Sequence, residues 1–173
     1  MPTSRRGFAA LTGLLVVTTL TIGAMDRALV TPEVPWGIVS FEFASNAERS
    51  AEILRAWSGD ATATAMFVQG FDFLYLFVYP AWFCVAVLGL GSSLAGRWAG
   101  WSRRIGWLAL AAAPFDAGEN IALVAQLQHG ASDPLAQLAW VCALVKFALV
   151  GVAAGWLLAM SGVWVGRRIR GAP

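Results

Sequence analysis

Charge is scarce in this chain. Only 13% of its 173 residues are Asp, Glu, Lys or Arg, against 58% apolar ones. A soluble domain carries about a quarter charged residues. The shortfall excludes a disordered tail and a nucleic-acid binder, and it argues against a soluble enzyme. Cysteine is nearly missing as well. Cys84 and Cys142 are too few for a disulfide scaffold or a four-cysteine metal site. The chain has one lysine, Lys146, and one histidine, His129. A lone histidine with no neighbouring His or Cys is a poor metal signal. No Gly-rich phosphate loop, Ser-His-Asp set or His-Glu-x-x-His motif occurs. The sequence therefore assigns no catalytic residue, no metal and no cofactor.

Long apolar runs are what the chain has in quantity. A spanning helix needs about 20 apolar residues to cross about 30 Å of hydrocarbon. Four segments qualify, over about residues 7–25, 64–91, 105–127 and 135–165. The predicted fold is an all-α integral membrane protein: one domain, 1–173, built as a four-transmembrane-helix bundle with a short amphipathic helix in an outer loop. The lipid bilayer is its first partner, and nucleic acid is not one.

Arginine sets the expected orientation. Arg5 and Arg6 precede the first span, Arg97, Arg103 and Arg104 lie between the second and third, and Arg167, Arg168 and Arg170 follow the fourth. These segments contain no acid. The opposite side holds Asp26, Glu33, Glu42, Glu48, Glu52, Asp60 and Asp133 against Arg27, Arg49 and Arg55. The positive-inside rule then places both termini in the cytoplasm. Arginine bias with abundant Ala and Gly suggests a bacterial inner membrane. Ser4-Arg5-Arg6-Gly7-Phe8 resembles a twin-arginine export signal. The apolar run from Gly7 to Met25 is longer than the about 7–15 residues of such a signal, so the first span is expected to be retained.

Residues 26–60 form the one sizeable loop. Pro32 and Pro35 end any continuation of the first span. Ser45-Asn46-Ala47-Glu48 fits a capping box with Ser45 as N-cap, predicting a helix over about 46–57. Glu52 and Arg55 stand at i,i+3 and should pair weakly. The loop reads as an amphipathic cap on the outer surface. Trp57, Trp98, Trp101, Trp107 and Trp164 fit interfacial belts. Asp133-Pro134 fits the N-cap and first position of the fourth span.

The informative residues are charges inside spans, which cost about 2.5–3.5 kcal/mol each on insertion scales. There are four: Asp72, Asp116, Glu119 and Lys146. Gln69 and Asn120 add uncharged polarity. At 1.5 Å per residue, Asp72 lies about 9 Å outward of its span centre, and Lys146 about 6 Å. Asp116 lies at mid-depth, with Glu119 and Asn120 about 4–6 Å outward. Three helices thus place charge in one layer of the outer half. Asp116, Glu119 and Asn120 share a helix face, as do Gln69, Asp72, Leu76 and Tyr79, with Tyr75 adjacent. Three carboxyls against one ammonium leave a net −2 if all ionise. Lys146 should pair with one of them, while protons or a cation compensate the rest. Pro80 and Pro114 can kink their helices beside this layer. Gly151-x-x-x-Gly155 has the small-residue spacing that admits a close helix, from the bundle, a second copy or a membrane partner. Cys84 and Cys142 differ in depth by about 20 Å. That is too far for a disulfide, which needs Cα atoms within about 7 Å.

The stretch Phe41-Glu42-Phe43-Ala44, then Ala47-Glu48-Arg49 to Trp57, Asp72-Phe73-Leu74-Tyr75 with Tyr79, and Phe115-Asp116-Ala117-Gly118-Glu119-Asn120 resembles a set of small bacterial four-span proteins. The Asp-x-x-Glu-Asn element is its most specific part. The resemblance implies a fold and no activity. Three functional readings follow from the residues. The polar layer, Gln69, Asp72, Tyr75, Asp116, Glu119, Asn120 and Lys146, serves proton- or cation-linked transport or sensing. Alternatively, it serves an enzyme acting on a lipid- or quinone-like substrate. In the third reading its charges only fix helix packing in a structural or accessory subunit.

Overall fold

The computed structural model describes residues 4–94 and 96–169, with side chains through Gly166. Arg170 lies outside the described residues, as do the side chains of Arg167 and Arg168. The structure is 85% helix, and no strand occurs among the described residues. Seven α-helices follow in order: α1 Arg5–Asp26, α2 Ile38–Glu42, α3 Ala47–Ala56, α4 Asp60–Gly91, α5 Arg97–Leu110, α6 Ala112–His129 and α7 Asp133–Ile169. Four stretches are long and apolar enough to cross a membrane: Arg5–Leu29, Asp60–Gly91, Arg97–His129 and Asp133–Gly166.

Local chemistry explains where these helices start and stop. The Ser4 hydroxyl accepts the Gly7 N–H at 3.1 Å and opens α1. Within α1, Thr12, Thr18 and Thr21 turn their hydroxyls onto the carbonyls four residues back, each at 2.9 Å, so an apolar helix carries them without loose donors. α4 runs unbroken through Pro80. The third stretch is not one helix. It breaks at Ala111, and Pro114 falls in the first turn of α6, where a residue without an N–H forfeits no helical bond. It also begins at Arg97, earlier than the predicted start at 105.

Helix α4 is the central element and touches α1, α5, α6 and α7. α6 packs along α7, and α5 packs against both α4 and α7. α1 packs mainly on α4. Close approach is provided by Gly91 against Ser102 and by Gly106 against Leu88 and the Cys84 carbonyl. Gly151 and Gly155 do not serve this purpose within the chain. Both are exposed, and a Cβ at either would meet nothing within 4 Å.

The loop departs furthest from expectation. It does not lie flat as a cap but folds into the end of the bundle. Leu29, Val34, Phe41, Ile53 and Trp57 are completely buried and join Val68, Ala122 and Leu123 in one core. Trp57 is no belt residue: its ring meets Phe41 edge-on at 5.5 Å, and its Nε1–H donates to the Leu29 carbonyl at 2.8 Å. The cap of α3 is Asn46, not Ser45, and it accepts the Arg49 N–H at 2.8 Å. Glu52 pairs with Arg49 at 2.8 Å rather than with Arg55. Asp133 is the first residue of α7. Its carboxylate accepts the Ala47 N–H at 2.7 Å and ties α3 to α7. Cys84 and Cys142 are free and buried, as their depths require.

Candidate functional site

The polar layer predicted from helical rise is assembled in the structure. α6 presents Asp116, Glu119 and Asn120 inward, all essentially buried. α7 presents Lys146, whose ammonium donates to Glu119 Oε1 at 2.7 Å and to Asp116 Oδ1 at 3.3 Å. α4 presents Tyr79, whose hydroxyl donates to Asp116 Oδ2 at 2.8 Å. Both Asp116 oxygens are therefore occupied. Asp72, also on α4, receives the Asn120 amide at 2.8 Å. Gln69 is buried one turn along α4 from Asp72.

Two members were missed as site residues. Tyr79 shares the face of Asp72 but is not among the residues the sequence assigns to the site, whereas Tyr75 is. The structure gives Tyr79 the contact to Asp116, whereas the Tyr75 hydroxyl accepts from Thr19 on α1 at 3.2 Å. Tyr75 still borders the cavity described below. The larger omission is Glu42, at the end of α2. Its Oε1 stands 3.5 Å from the Lys146 ammonium. The available signal was an acid between Phe41 and Phe43, since a carboxyl with aromatic neighbours on both sides is poorly placed for solvent.

Lys146 thus faces three carboxyls, Glu42, Asp116 and Glu119, with Asp72 close behind. Fully ionised, the four acids and one ammonium would carry a net −3 inside the protein. Low dielectric makes uncompensated charge expensive, so full ionisation of the cluster is disfavoured. Burial pushes the Glu42 carboxyl up from its ordinary range, against the pull of the Lys146 ammonium. Glu119 and Asp116 are close enough to act on the Glu42 carboxyl as well. Glu42 Oε2 and Glu119 Oε2 are both buried with no donor. Gln69 Oε1 and Asn120 Oδ1 are also buried without partners.

Beside this cluster lies a cavity of about 370 Å³. Leu15, Thr19 and Ile22 of α1 form one wall, and Phe147 and Val150 of α7 the other. α2 roofs it with Ile38, Val39 and Glu42, and Gln69, Asp72, Tyr75, Tyr79, Asp116 and Lys146 line its polar end. The cavity is only partly enclosed, and α1 and α7, which both line it, make no extended contact with each other. Its volume falls in the range of ligand pockets, about 300–1,000 Å³. Toward the chain termini the core is apolar, formed by Val87, Ile105, Ala109 and Ala153. Among the described residues no three His, Cys, Asp or Glu converge as metal ligands would. Glu119 and Asn120 sit behind the lining and act on it through Lys146 and Asp72. Comparison with protein-family models, with curated proteins and with solved structures finds no match to this chain, so the functional reading rests on the site's own chemistry.

Proposed function

We propose that the chain is an integral membrane protein that takes a lipid-like molecule sideways from the bilayer and holds its polar head against the carboxyl–lysine cluster, where Asp72 serves as a general acid or base. The observation that carries this reading is the cavity: a partly enclosed, largely apolar lining contributed by helices that read as membrane spans, with Gln69, Asp72 and Tyr75 as polar groups in it. Apolar pockets with a few convergent polar groups are the usual form of a small-molecule site. Asp72 is the acid best placed for proton transfer. It borders the cavity and receives a single hydrogen bond, from Asn120, while Asp116 is committed through both oxygens. The arginine bias supports cytoplasmic termini, which puts the opening in the outer half of a bacterial inner membrane. Transport across the membrane draws less support. Among the described residues, the cluster toward the chain termini, Val87, Ile105, Ala109 and Ala153, contributes no titratable side chain.

The test compares three proteins purified from membranes: wild type, Leu15→Trp, which fills the cavity from α1, and Asp72→Asn. Bound small molecules are extracted and identified by mass spectrometry. An apolar molecule in near-stoichiometric amount is expected from wild type and not from Leu15→Trp. Asp72→Asn should retain a molecule of the same class in a chemically different form, the substrate in place of the product. Equal recovery from wild type and Leu15→Trp, or nothing from either, defeats the binding reading. An identical species from wild type and Asp72→Asn defeats the acid–base role.

A further inference from the structure

The proposed site also restricts the head group it accepts. We infer that the molecule held in the lateral cavity presents an uncharged or cationic hydrogen-bond donor, an alcohol, quinol or amine, and not a phosphate. This rests on the binding reading above and specifies its ligand class.

The first argument is the balance of donors and acceptors. At the polar end of the cavity, Gln69 is 1% exposed and its Oε1 has no partner. A buried carbonyl oxygen without a donor costs about 1–3 kcal/mol, so this end of the cavity is already short of donors. Asp72 stands one turn away on the same face of α4 and takes a bond only from Asn120. An incoming O–H or N–H thus meets an acceptor in the Asp72 carboxylate, one turn along α4 from the buried Gln69. The Tyr75 hydroxyl, which already accepts from Thr19, keeps its own proton for the oxygen of an alcohol.

The second argument is charge. Lys146 is the one cation that lines the cavity, and its ammonium is already held by Glu119, Asp116 and Glu42. Among the described residues no arginine borders the cavity. A phosphate would come to rest beside Asp72 with no unshared cation to receive it. Phosphate recognition ordinarily relies on arginine forks, on a free lysine or on backbone N–H groups at a helix start. A carboxyl-rich end repels an anion and attracts an ammonium.

The experiment uses the full chain in nanodiscs of a zwitterionic lipid. Radiolabelled dodecanol, dodecylamine and dodecyl phosphate, equal in chain length, are titrated against wild type, Leu15→Trp and Asp72→Asn, with empty nanodiscs as background. The alcohol and the amine should bind saturably, at least about tenfold more tightly than the phosphate, since like-charge juxtaposition is strongly unfavourable. Leu15→Trp should lose this binding. Asp72→Asn should narrow the gap between amine and phosphate, and a thermal melt confirms that the variant is folded. Phosphate binding as tight as the alcohol's or tighter overturns the head-group inference and leaves the cavity as a ligand site. No saturable binding of any probe above background overturns the binding reading and this inference together.

Discussion

At the scale of residues, Glu42 connects the loop to the buried charge and has a measurable consequence. Burial raises its carboxyl above the ordinary glutamate range, so the folded chain holds a proton that the unfolded chain releases. In the window between the unfolded and folded values the folded state binds more protons, and stability falls as pH rises. Glu42→Gln removes this contribution. The variant should lose less stability than wild type between pH 5 and 8, read as the change in melting temperature across that range; a slope equal to wild type's would mean that Glu42 takes up no proton on folding. Residues placed by regular geometry were legible in the sequence. Asp116, Glu119 and Asn120 follow from i,i+3,i+4 spacing, and the depth of Lys146 follows from helical rise. Glu42 was not legible, because nothing periodic fixes the path of a loop. The exchange of Tyr75 for Tyr79 has a smaller cause. They are one turn apart, and which of them reaches Asp116 depends on how α4 rotates against α6, a packing detail that spacing does not set.

At the scale of elements, the question is what holds α2 against the bundle so that Glu42 reaches Lys146. The residue before α2 is Gly37, at φ 53° and ψ −131°, a backbone conformation open essentially only to glycine. The Asp26 carboxylate at the end of α1 accepts the Ile38 N–H at 2.7 Å, and a Cβ on Gly37 would strike that carboxylate. Gly59, before α4, provides a matched control. It has φ 70° and ψ −129°, but a Cβ there meets nothing within 4 Å. Gly59→Ala should cost about 1–2 kcal/mol from backbone strain alone. Gly37→Ala should cost on the order of 1–2 kcal/mol more, because the Asp26–Ile38 bond is lost with it. Thermal unfolding of the two variants side by side decides this, and equal losses would mean that Asp26 contributes nothing to seating α2. The sequence announced the spans themselves through apolar length, and Pro114 was recognised as a point of weakness. It did not show that the third stretch would divide at Ala111, nor that Trp57 would turn inward. An amphipathic pattern identifies the apolar face of a loop helix but not whether that face meets lipid or protein.

At the scale of the whole molecule, the charged cluster either holds the helices together or is retained for its chemistry, and the two roles predict opposite responses to neutralising it. Removing Lys146 alone leaves Glu42, Asp116 and Glu119 without their common cation. Breaking a buried pair from one side costs about 3–5 kcal/mol, and Lys146→Met should lose stability of that order. Neutralising the whole cluster is different. In the variant Glu42→Gln, Asp72→Asn, Asp116→Asn, Glu119→Gln and Lys146→Met, desolvation of charge disappears along with the attraction, and the side chains keep nearly their volumes. Replacing buried ion pairs in this concerted way is often neutral or stabilising by about 1–4 kcal/mol. Packing at either end, around Phe41 and Trp57 and around Val87 and Ile105, does not involve the cluster and continues to hold the helices. The fivefold variant should therefore melt at or above wild type in detergent while losing the preference for amine over phosphate. A melting temperature near that of Lys146→Met would mean instead that the cluster's hydrogen bonds set the helix arrangement. The buried charge would then be explained by packing, and Asp72 and Gln69 would have to carry the ligand site unaided.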